Sequence, residues 1–597
     1  MLRRWRCALL KYKMQIVFSL GIGYTVYIDG VAGFCVLEGS VFIVRVRIPL
    51  GIESFAEMRE GNYYYVDKTN LIKEMLADKF KVNLITRPRR FGKSLTMSML
   101  DDFFNISKDS KAHFDGLAVS NETALCEKWM NQYPVVFMSF KDIDGNTFES
   151  AYGMMKFWIS NLCFKYDFLK KSDHISSEDK KILAELQNQA ASSENLKGSL
   201  FLLTRMLTAH YGRKTILLVD EYDVPLAKAN DNGYYKEMLE VIKAMLSAAL
   251  KTNDYLEFGI VTGCLRISKE SIFTGLNNLV INSITTDRFD ESIGFTEEEV
   301  QKLLSDTGFT EHAQEIREWY DGYRFGQVDV YCPWDVLNHV STLMENPTKK
   351  PKSYWVGTSH NQVIYNLFSY KKYGMKGKFE SLMSGNSIRE VVSEELTYDT
   401  LTADDKNLWS LLFMTGYLTQ DKQIPIQDNV VALRIPNEEV KCVFKDAIVD
   451  WFEKTVSKID RSKMFEALWK QDADTAQAEI SKLLLKSISY HDFKESFYHA
   501  FVAGMFAGAD YPVESNYEYG DGRPDIVVND GDNDRVMLFE VKHAGKDETI
   551  EHALKAAITQ IEEKRYLEGI DEFETVVCYG IAFKGKKCMM QAYSPSV

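Results

Sequence analysis

Proline is scarce in this sequence: 12 in 597 residues leave little material for long extended linkers. The nine cysteines (Cys7, Cys35, Cys126, Cys163, Cys264, Cys332, Cys442, Cys578 and Cys588) include no Cys-x-x-Cys pair. Their odd number and wide scatter argue against a disulfide framework or a zinc site and for a reducing cytoplasm. Positive charge is also short. With a formal net charge of -14, a nucleic-acid surface would have to be a local basic patch on an acidic protein. Internal repeats and low-complexity tracts are missing, and no stretch after residue 28 is apolar for long enough to cross a membrane. Before it, Arg3, Arg4, Arg6, Lys11 and Lys13 precede an apolar run from Ile16 to Ile28, broken by Asp29. That run is shorter than the roughly 20 residues that span a bilayer, and no clean small-x-small cleavage site follows. A strand pair, or a stretch upstream of the folded protein, accounts for it better than a targeting segment.

What is present reads as globular. Hydrophobic residues make up 45% and charged residues 26%. At roughly 100–200 residues per domain the length suggests three or four units. Strands are expected at Val82–Thr86, 134–140, Thr215–Val219 and Leu256–Thr262. Between them fall a helix from Ser94 to Phe104, a long helical stretch from Phe148 to Ala209, and a helix over Tyr235–Leu250. Strands alternating with helices imply crossover connections and a parallel sheet, whose ligands sit where strands end and helices begin. From Phe295 the texture becomes helical, with Thr296 as an expected N-cap ahead of Glu297, Glu298 and Glu299.

One constellation carries phosphate chemistry. The strand ending Leu84-Ile85-Thr86 feeds Arg87-Pro88-Arg89-Arg90-Phe91-Gly92-Lys93-Ser94, a tight loop closing in Gly-Lys-Ser at the mouth of a helix. Such a loop offers backbone N–H groups and the positive end of a helix dipole to phosphates. Lys93 would reach the β- and γ-phosphates, and Ser94 would hold Mg²⁺. The usual pattern has glycine where Arg87 stands, and Gly-Lys-Ser alone recurs by chance. Its partner is Ile216-Leu217-Leu218-Val219-Asp220-Glu221, an apolar strand ending in two carboxylates. Asp220 would bind Mg²⁺ and Glu221 would polarise the attacking water. The plain alternative, a buried strand with solvated acids at its end, loses ground beside the loop. Thr262, at the end of the Leu256–Thr262 strand, stands where P-loop ATPases often place a polar residue that senses the γ-phosphate. Arg266 and Arg288 are weaker candidates for charge-stabilising fingers, with an ordinary surface role as good an account.

A second constellation lies near the C-terminus: Gly522-Arg523-Pro524-Asp525-Ile526-Val527-Val528, then Phe539-Glu540-Val541-Lys542. Glu540 and Lys542, two apart in a strand, share a face. A hairpin would bring the Asp525 and Glu540 carboxylates together as hard oxygen ligands for Mg²⁺, with Lys542 orienting the water that attacks a phosphodiester. By itself this spacing is common, and a surface hairpin with a salt bridge would explain it. Further acids, Glu495 and Glu514, precede it. His543 falls on the opposite face and reads as packing, as does the Tyr63-Tyr64-Tyr65 run.

These motifs resemble those of the bacterial AAA-ATPase-like family, whose members commonly carry a C-terminal PD-(D/E)XK nuclease-like domain. The resemblance rests on residues 48–55 (Ile-Pro-Leu-Gly-Ile-Glu-Ser-Phe), Tyr65-Val66-Asp67-Lys68-Thr69, the Arg87–Ser94 loop and Val219-Asp220-Glu221-Tyr222-Asp223. Residues 273–278 (Phe-Thr-Gly-Leu-Asn-Asn) and Trp319-Tyr320-Asp321-Gly322-Tyr323 extend it over nearly the whole chain after residue 48. In that family Arg-Pro-Arg-Arg is the usual loop, so Arg87 is a trait and not a broken site. Gln560, Lys564 and Tyr566 resemble the Gln-x-x-x-(Lys/Arg)-x-Tyr element of such nucleases. The resemblance implies an α/β fold: a P-loop NTPase parallel sheet, then a mostly helical module, then a restriction-endonuclease-like α/β domain. It divides the chain into an extension (1–47), the ATPase domain (48–294), a lid or connecting module (295–486) and the nuclease-like domain (487–597). It implies ATP and Mg²⁺ as cofactors, a nucleic acid (DNA first) as partner, no membrane, and, by analogy, a homo-oligomer. An ATPase coupled to phosphodiester cleavage is the expected function. The alternative is a regulatory ATPase switch whose C-terminal domain binds nucleic acid or protein without cutting.

Overall fold

The computed structural model describes residues 16–18, 24–26, 33–37, 40–44 and 46–593, apart from 79, 268–278, 356–374, 395, 397–404, 425–428, 457–459, 488–494, 507–510, 515–522, 546 and 567–572. The chain forms two compact units, residues 1–354 with 390–431, and residues 355–389 with 432–597. The stretch 295–486, expected as a connecting module, is therefore shared between them. Parts of the apolar N-terminal run are strands: Ile16–Phe18 pairs antiparallel with Tyr24–Val26, and Gly33–Leu37 and Ser40–Val44 complete a four-stranded meander.

The core of the first unit is a five-stranded parallel sheet of β1 (Val82–Thr86), β2 (Val135–Ser139), β3 (Thr215–Asp220), β4 (Leu256–Gly263) and β5 (Leu279–Asn282). Its spatial order is β2-β3-β4-β1-β5. Every residue of β1 and β3 is buried, the polar Asn83 and Thr86 included, as in strands covered on both faces. The helices α1 (Lys93–Phe104), Ser199–Tyr211 and Tyr235–Leu250 pack on it. Because all strands run the same way, the loop after Thr86, the acids at Asp220 and Glu221, and the end of β4 meet at one edge. β4 lies between the other two, with Thr86 opposite Gly263 and Val219 opposite Val261.

Two expectations need correction. The long helical stretch from Phe148 to Ala209 is four α-helices, Phe148–Lys165, Ser177–Gln187, Ser193–Lys197 and Ser199–Tyr211. Ser176 and Ser192 begin two of them by accepting the backbone N–H of Asp179 and Asn195, so these serines are start signals inside an apparently continuous pattern. The edge strand β5 was also not anticipated, being only four residues long. Thr296 does cap Glu297–Thr307 in a reciprocal box with Glu299.

The second unit contains a mixed five-stranded sheet built from β6 (Val513–Glu514), β7 (Ile526–Asp530), β8 (Arg535–His543), β9 (Thr575–Lys584) and β10 (Lys587–Tyr593), in that order. β6, β7 and β8 are antiparallel neighbours; β8 and β9 are parallel. The helix α2 (Glu495–Phe506) precedes the sheet, and α3 (Ile550–Glu563) makes the crossover from β8 to β9. β10 returns antiparallel after a turn at Gly585.

Candidate functional site

The loop after β1 bends through two left-handed residues, Arg90 at φ 71° and Gly92 at φ 91°. A Cβ on Gly92 would meet nothing within 4 Å, so glycine is needed there for backbone conformation and not for space. The bend aims the first N–H groups of α1, which have no intrahelical partners, into the concavity of the loop. Lys93 is 4% exposed, and its Nζ donates to the carbonyls of Arg87 at 3.1 Å and Pro88 at 2.9 Å. The Sγ of Cys264 lies 3.7 Å from the same ammonium.

Beside it, the Ser94 hydroxyl donates to Asp220 Oδ2 at 2.8 Å. The other Asp220 oxygen accepts the hydroxyl of Thr262. Thr262 also takes the N–H of Glu221 on its Oγ1 at 3.3 Å and that of Tyr222 on its carbonyl at 3.1 Å. Glu221 itself is held at φ 52°. Burial pushes its carboxyl up, Lys93 opposes this, and Asp220 and Asp223 reinforce it. The sequence reading gave Asp223 no role. One of its oxygens accepts the N–H groups of Cys264 and Leu265, both at 2.9 Å, and Tyr222 binds the Leu265 carbonyl at 2.7 Å. Gly263 permits this, since a Cβ there would stand 2.6 Å from Asp223 Oδ1.

The remaining loop residues, Arg89 apart, face elsewhere. Arg87 is fully buried; Nη1 donates to the carbonyls of Thr86 and Asn282 at 2.9 Å each, and Nη2 to Phe289 at 3.0 Å. Its backbone N–H bonds Gly263. Pro88 is buried close to Gly416, and Phe91 packs edge-on against Tyr323 at 5.0 Å. Arg90 donates to the Tyr354 carbonyl at 2.7 Å and covers the Trp334 ring. Arg89 sits in the field of Glu221, Asp223 and Asp231. Arg288 is fixed on Asn83 at 2.7 Å and Arg266 lies near Tyr222. Asp67 and Lys68 act as braces: Asp67 accepts from Thr69 and Ala118, while Lys68 binds Glu299 at 2.6 Å and the Glu291 carbonyl at 2.7 Å. The motif at 273–278 lies outside the described residues.

In the second unit, the antiparallel register sets Ile526 opposite Phe539, which puts Asp525 beside Glu540. Glu540 is wholly buried; burial first, then Asp525, push its carboxyl up to about 7, against the pull of Lys542 and Tyr566. Lys542 Nζ donates to one Glu540 oxygen at 2.6 Å, and the Tyr566 hydroxyl to the other at 3.1 Å. Gln560 supports Tyr566 at 3.2 Å. Asp525 Oδ2 accepts the Val541 N–H at 2.8 Å. A residue the sequence reading passed over completes the group: His499 Nε2 lies 3.3 Å from Asp525 Oδ2 and 3.4 Å from the Val541 carbonyl. His499 stands one helical turn after Glu495, the position that was considered, so the helical period was the signal available. The side chains of Glu495 and Glu514 lie outside the described residues. Among the described residues no three His, Cys, Asp or Glu side chains form a ready-made metal cage. In this unit Asp525 and His499 meet at 3.3 Å, with the Val541 carbonyl and Glu540 beside them. His543 stacks on Tyr498, centroids 5.6 Å apart.

Among the described residues no helix is long and apolar enough to cross a membrane. The chain is 26% identical over 516 residues, 83% of its length and 89% of the other's, to a protein described as an uncharacterized protein in the vnfD 5' region of Azotobacter chroococcum mcd 1. Residues 49–273 match the family model described as predicted AAA-ATPase, and residues 493–593 match that of the PD-(D/E)XK nuclease superfamily. The chain thus joins an AAA-ATPase-like segment to a C-terminal segment of the PD-(D/E)XK nuclease superfamily.

Proposed function

We propose that the first unit binds and hydrolyses ATP and that the second cleaves a phosphodiester, each with Mg²⁺. The observation that carries the first half is the chain Ser94–Asp220–Thr262. A hydroxyl and a carboxylate 2.8 Å apart, both hard oxygen donors, suit Mg²⁺ beside a lysine and a helix N-terminus. Ser94 and Asp220 would hold the ion, which would neutralise charge on the β- and γ-phosphate oxygens. The Lys93 ammonium and the first N–H groups of α1 would bind those phosphates. Glu221, its proton affinity raised by burial, is suited to take the proton of the attacking water. Thr262 joins the Asp220 carboxylate to the Glu221 N–H and would register the γ-phosphate. Arg87, Pro88 and Phe91 then support the loop from behind.

For the second unit, Asp525, Glu540, His499 and the Val541 carbonyl would hold Mg²⁺, which would stabilise charge on the transferred phosphate. Lys542 would orient the attacking water, and Tyr566 with Gln560 fixes the Glu540 carboxyl. We take ATP turnover to gate this cleavage. The test is incubation with linear and supercoiled DNA and Mg²⁺, with and without ATP, beside Lys542→Ala and His499→Ala. Cleavage lost in both variants, and dependent on ATP in the parent, is the expected result. ATP hydrolysis without cleavage of DNA or RNA would leave the regulatory switch as the function.

A further inference from the structure

The second unit holds a cavity of about 700 Å³ that the cleavage reading does not use. Three aromatic side chains line it, Phe465, Trp469 and Tyr511, with Arg461, Lys470 and Arg535. Phe465 and Tyr511 meet edge to face at 5.2 Å, and Trp469 and Tyr511 lie 6.2 Å apart. The guanidinium of Arg535 lies 4.2 Å over the Trp469 ring, oriented by its bond to Asp530 at 2.6 Å. Arg461 is fixed by donating to the Met505 carbonyl at 2.8 Å.

Strand geometry separates this cavity from the carboxylates. Arg535 and Glu540 are five residues apart in β8, so their side chains leave opposite faces, about 17 Å apart along the strand. Independent contacts agree. Tyr566, following α3, binds Glu540, whereas Tyr579, paired in register with Phe539, donates to the Leu468 carbonyl of the helix Ser462–Trp469.

The lining selects a ligand class. Aromatic rings beside a guanidinium offer stacking surface to a flat, polarisable group. A nucleobase presents such a π-face. The lining carries Arg461, Lys470 and Arg535 with two carboxylates, Asp460 and Glu466, and Asp530 pairs with Arg535 at 2.6 Å. Both acids are engaged, Asp460 by the Ser462 N–H at 3.0 Å and Glu466 by Lys470 at 2.5 Å. The two guanidinium groups in the lining favour a base carrying phosphate over a neutral ring. We propose that this cavity is a nucleotide-binding site, distinct from both the ATP loop and the cleavage carboxylates, which takes a base and its phosphate from a single strand or as a free mononucleotide.

The test uses the full chain in chelator, so that neither hydrolysis nor cleavage enters the readout. A short single-stranded oligodeoxynucleotide containing 5-iodouracil is irradiated with the protein, and the crosslinked peptides are identified by mass spectrometry. Crosslinks on the peptides bearing Trp469 or Tyr511 are expected. Trp469→Ala, checked for folding by circular dichroism, should weaken the oligonucleotide's dissociation constant about tenfold, as the loss of one stacked base implies. Displacement of the crosslink by thymidine monophosphate would assign the site to free nucleotide, and resistance to it would assign it to a strand. Crosslinks on other peptides only would overturn the proposal. Should Trp469→Ala not fold, the crosslink map decides alone. Loss of ATPase or nuclease activity elsewhere would leave this result unchanged.

Discussion

Replacing Arg87 by lysine separates two roles that a loop arginine can play. A phosphate ligand would tolerate the change in charge terms, since lysine keeps the positive charge. The structure instead gives Arg87 three carbonyl partners within 3.0 Å, from Thr86, Asn282 and Phe289, reached by two different nitrogens of one planar fork. Burial lowers the guanidinium to about 10, so the group is still charged at neutral pH and its bonds are charge-assisted. An ammonium is a single point that cannot reach both directions of the fork. One or two of those carbonyls would lose their donor, at about 1–3 kcal/mol each, or about 2–4 kcal/mol together. With ~2–4 °C per kcal/mol in a domain of 150–250 residues, and less in a larger unit, the expected fall in melting temperature is about 5 °C. The assay is thermal melting of nucleotide-free Arg87→Lys against the parent, followed by ATP titration of both. An unchanged melting temperature with weakened ATP binding would refute the clamp and return Arg87 to the phosphate.

Glu221→Gln should lower ATP turnover by about 100-fold or more with nucleotide affinity nearly unchanged, as removal of a general base predicts; turnover within a few-fold of the parent would exclude Glu221 from that role. Glu540 offers a pH test in chelator. Its folded pKa, pushed up to about 7, exceeds the usual 4.5, so between those values the folded chain holds a proton that the unfolded chain has released. Stability of the second unit should therefore fall as pH rises through that window, and Glu540→Gln should flatten the profile; parallel melting curves for the two proteins would contradict the assignment. Thr296→Ala removes one half of the capping box and should cost about 1 kcal/mol in urea unfolding, with ATP turnover per folded molecule unaffected.

The parallel sheet was legible because its strands carry the signal locally. β3 carries the unbroken apolar run Ile216–Val219, and each strand boundary expected from sequence in this sheet fell within two residues of the observed one. The Ser94–Asp220 pairing was legible too, since both motifs end strands that point the same way. Arg87 was not. Its position in the loop suggested phosphate, but its partners at Asn282 and Phe289 lie about two hundred residues away, one of them on a strand too short to announce itself. His499 was hidden for a similar reason: only the packing of α2 against β8 brings an otherwise ordinary histidine to Asp525. The Phe148–Ala209 stretch failed differently. Apolar periodicity continued through it, and serine caps interrupt a helix without disturbing that pattern.

Thr262 touches three consecutive residues at the end of β3: the Asp220 carboxylate, the Glu221 N–H and the Tyr222 N–H. Its substitution should therefore be epistatic with changes at Asp220 and Glu221, the two that its hydroxyl holds. Loss of the hydroxyl frees Asp220 and Glu221 together, so a later substitution of Asp220 finds a site already disturbed and registers a smaller effect than it would in the parent. A lineage that altered this threonine would also have to adjust its acidic neighbours in step, because the hydroxyl ties the position of one carboxylate to the backbone of the next.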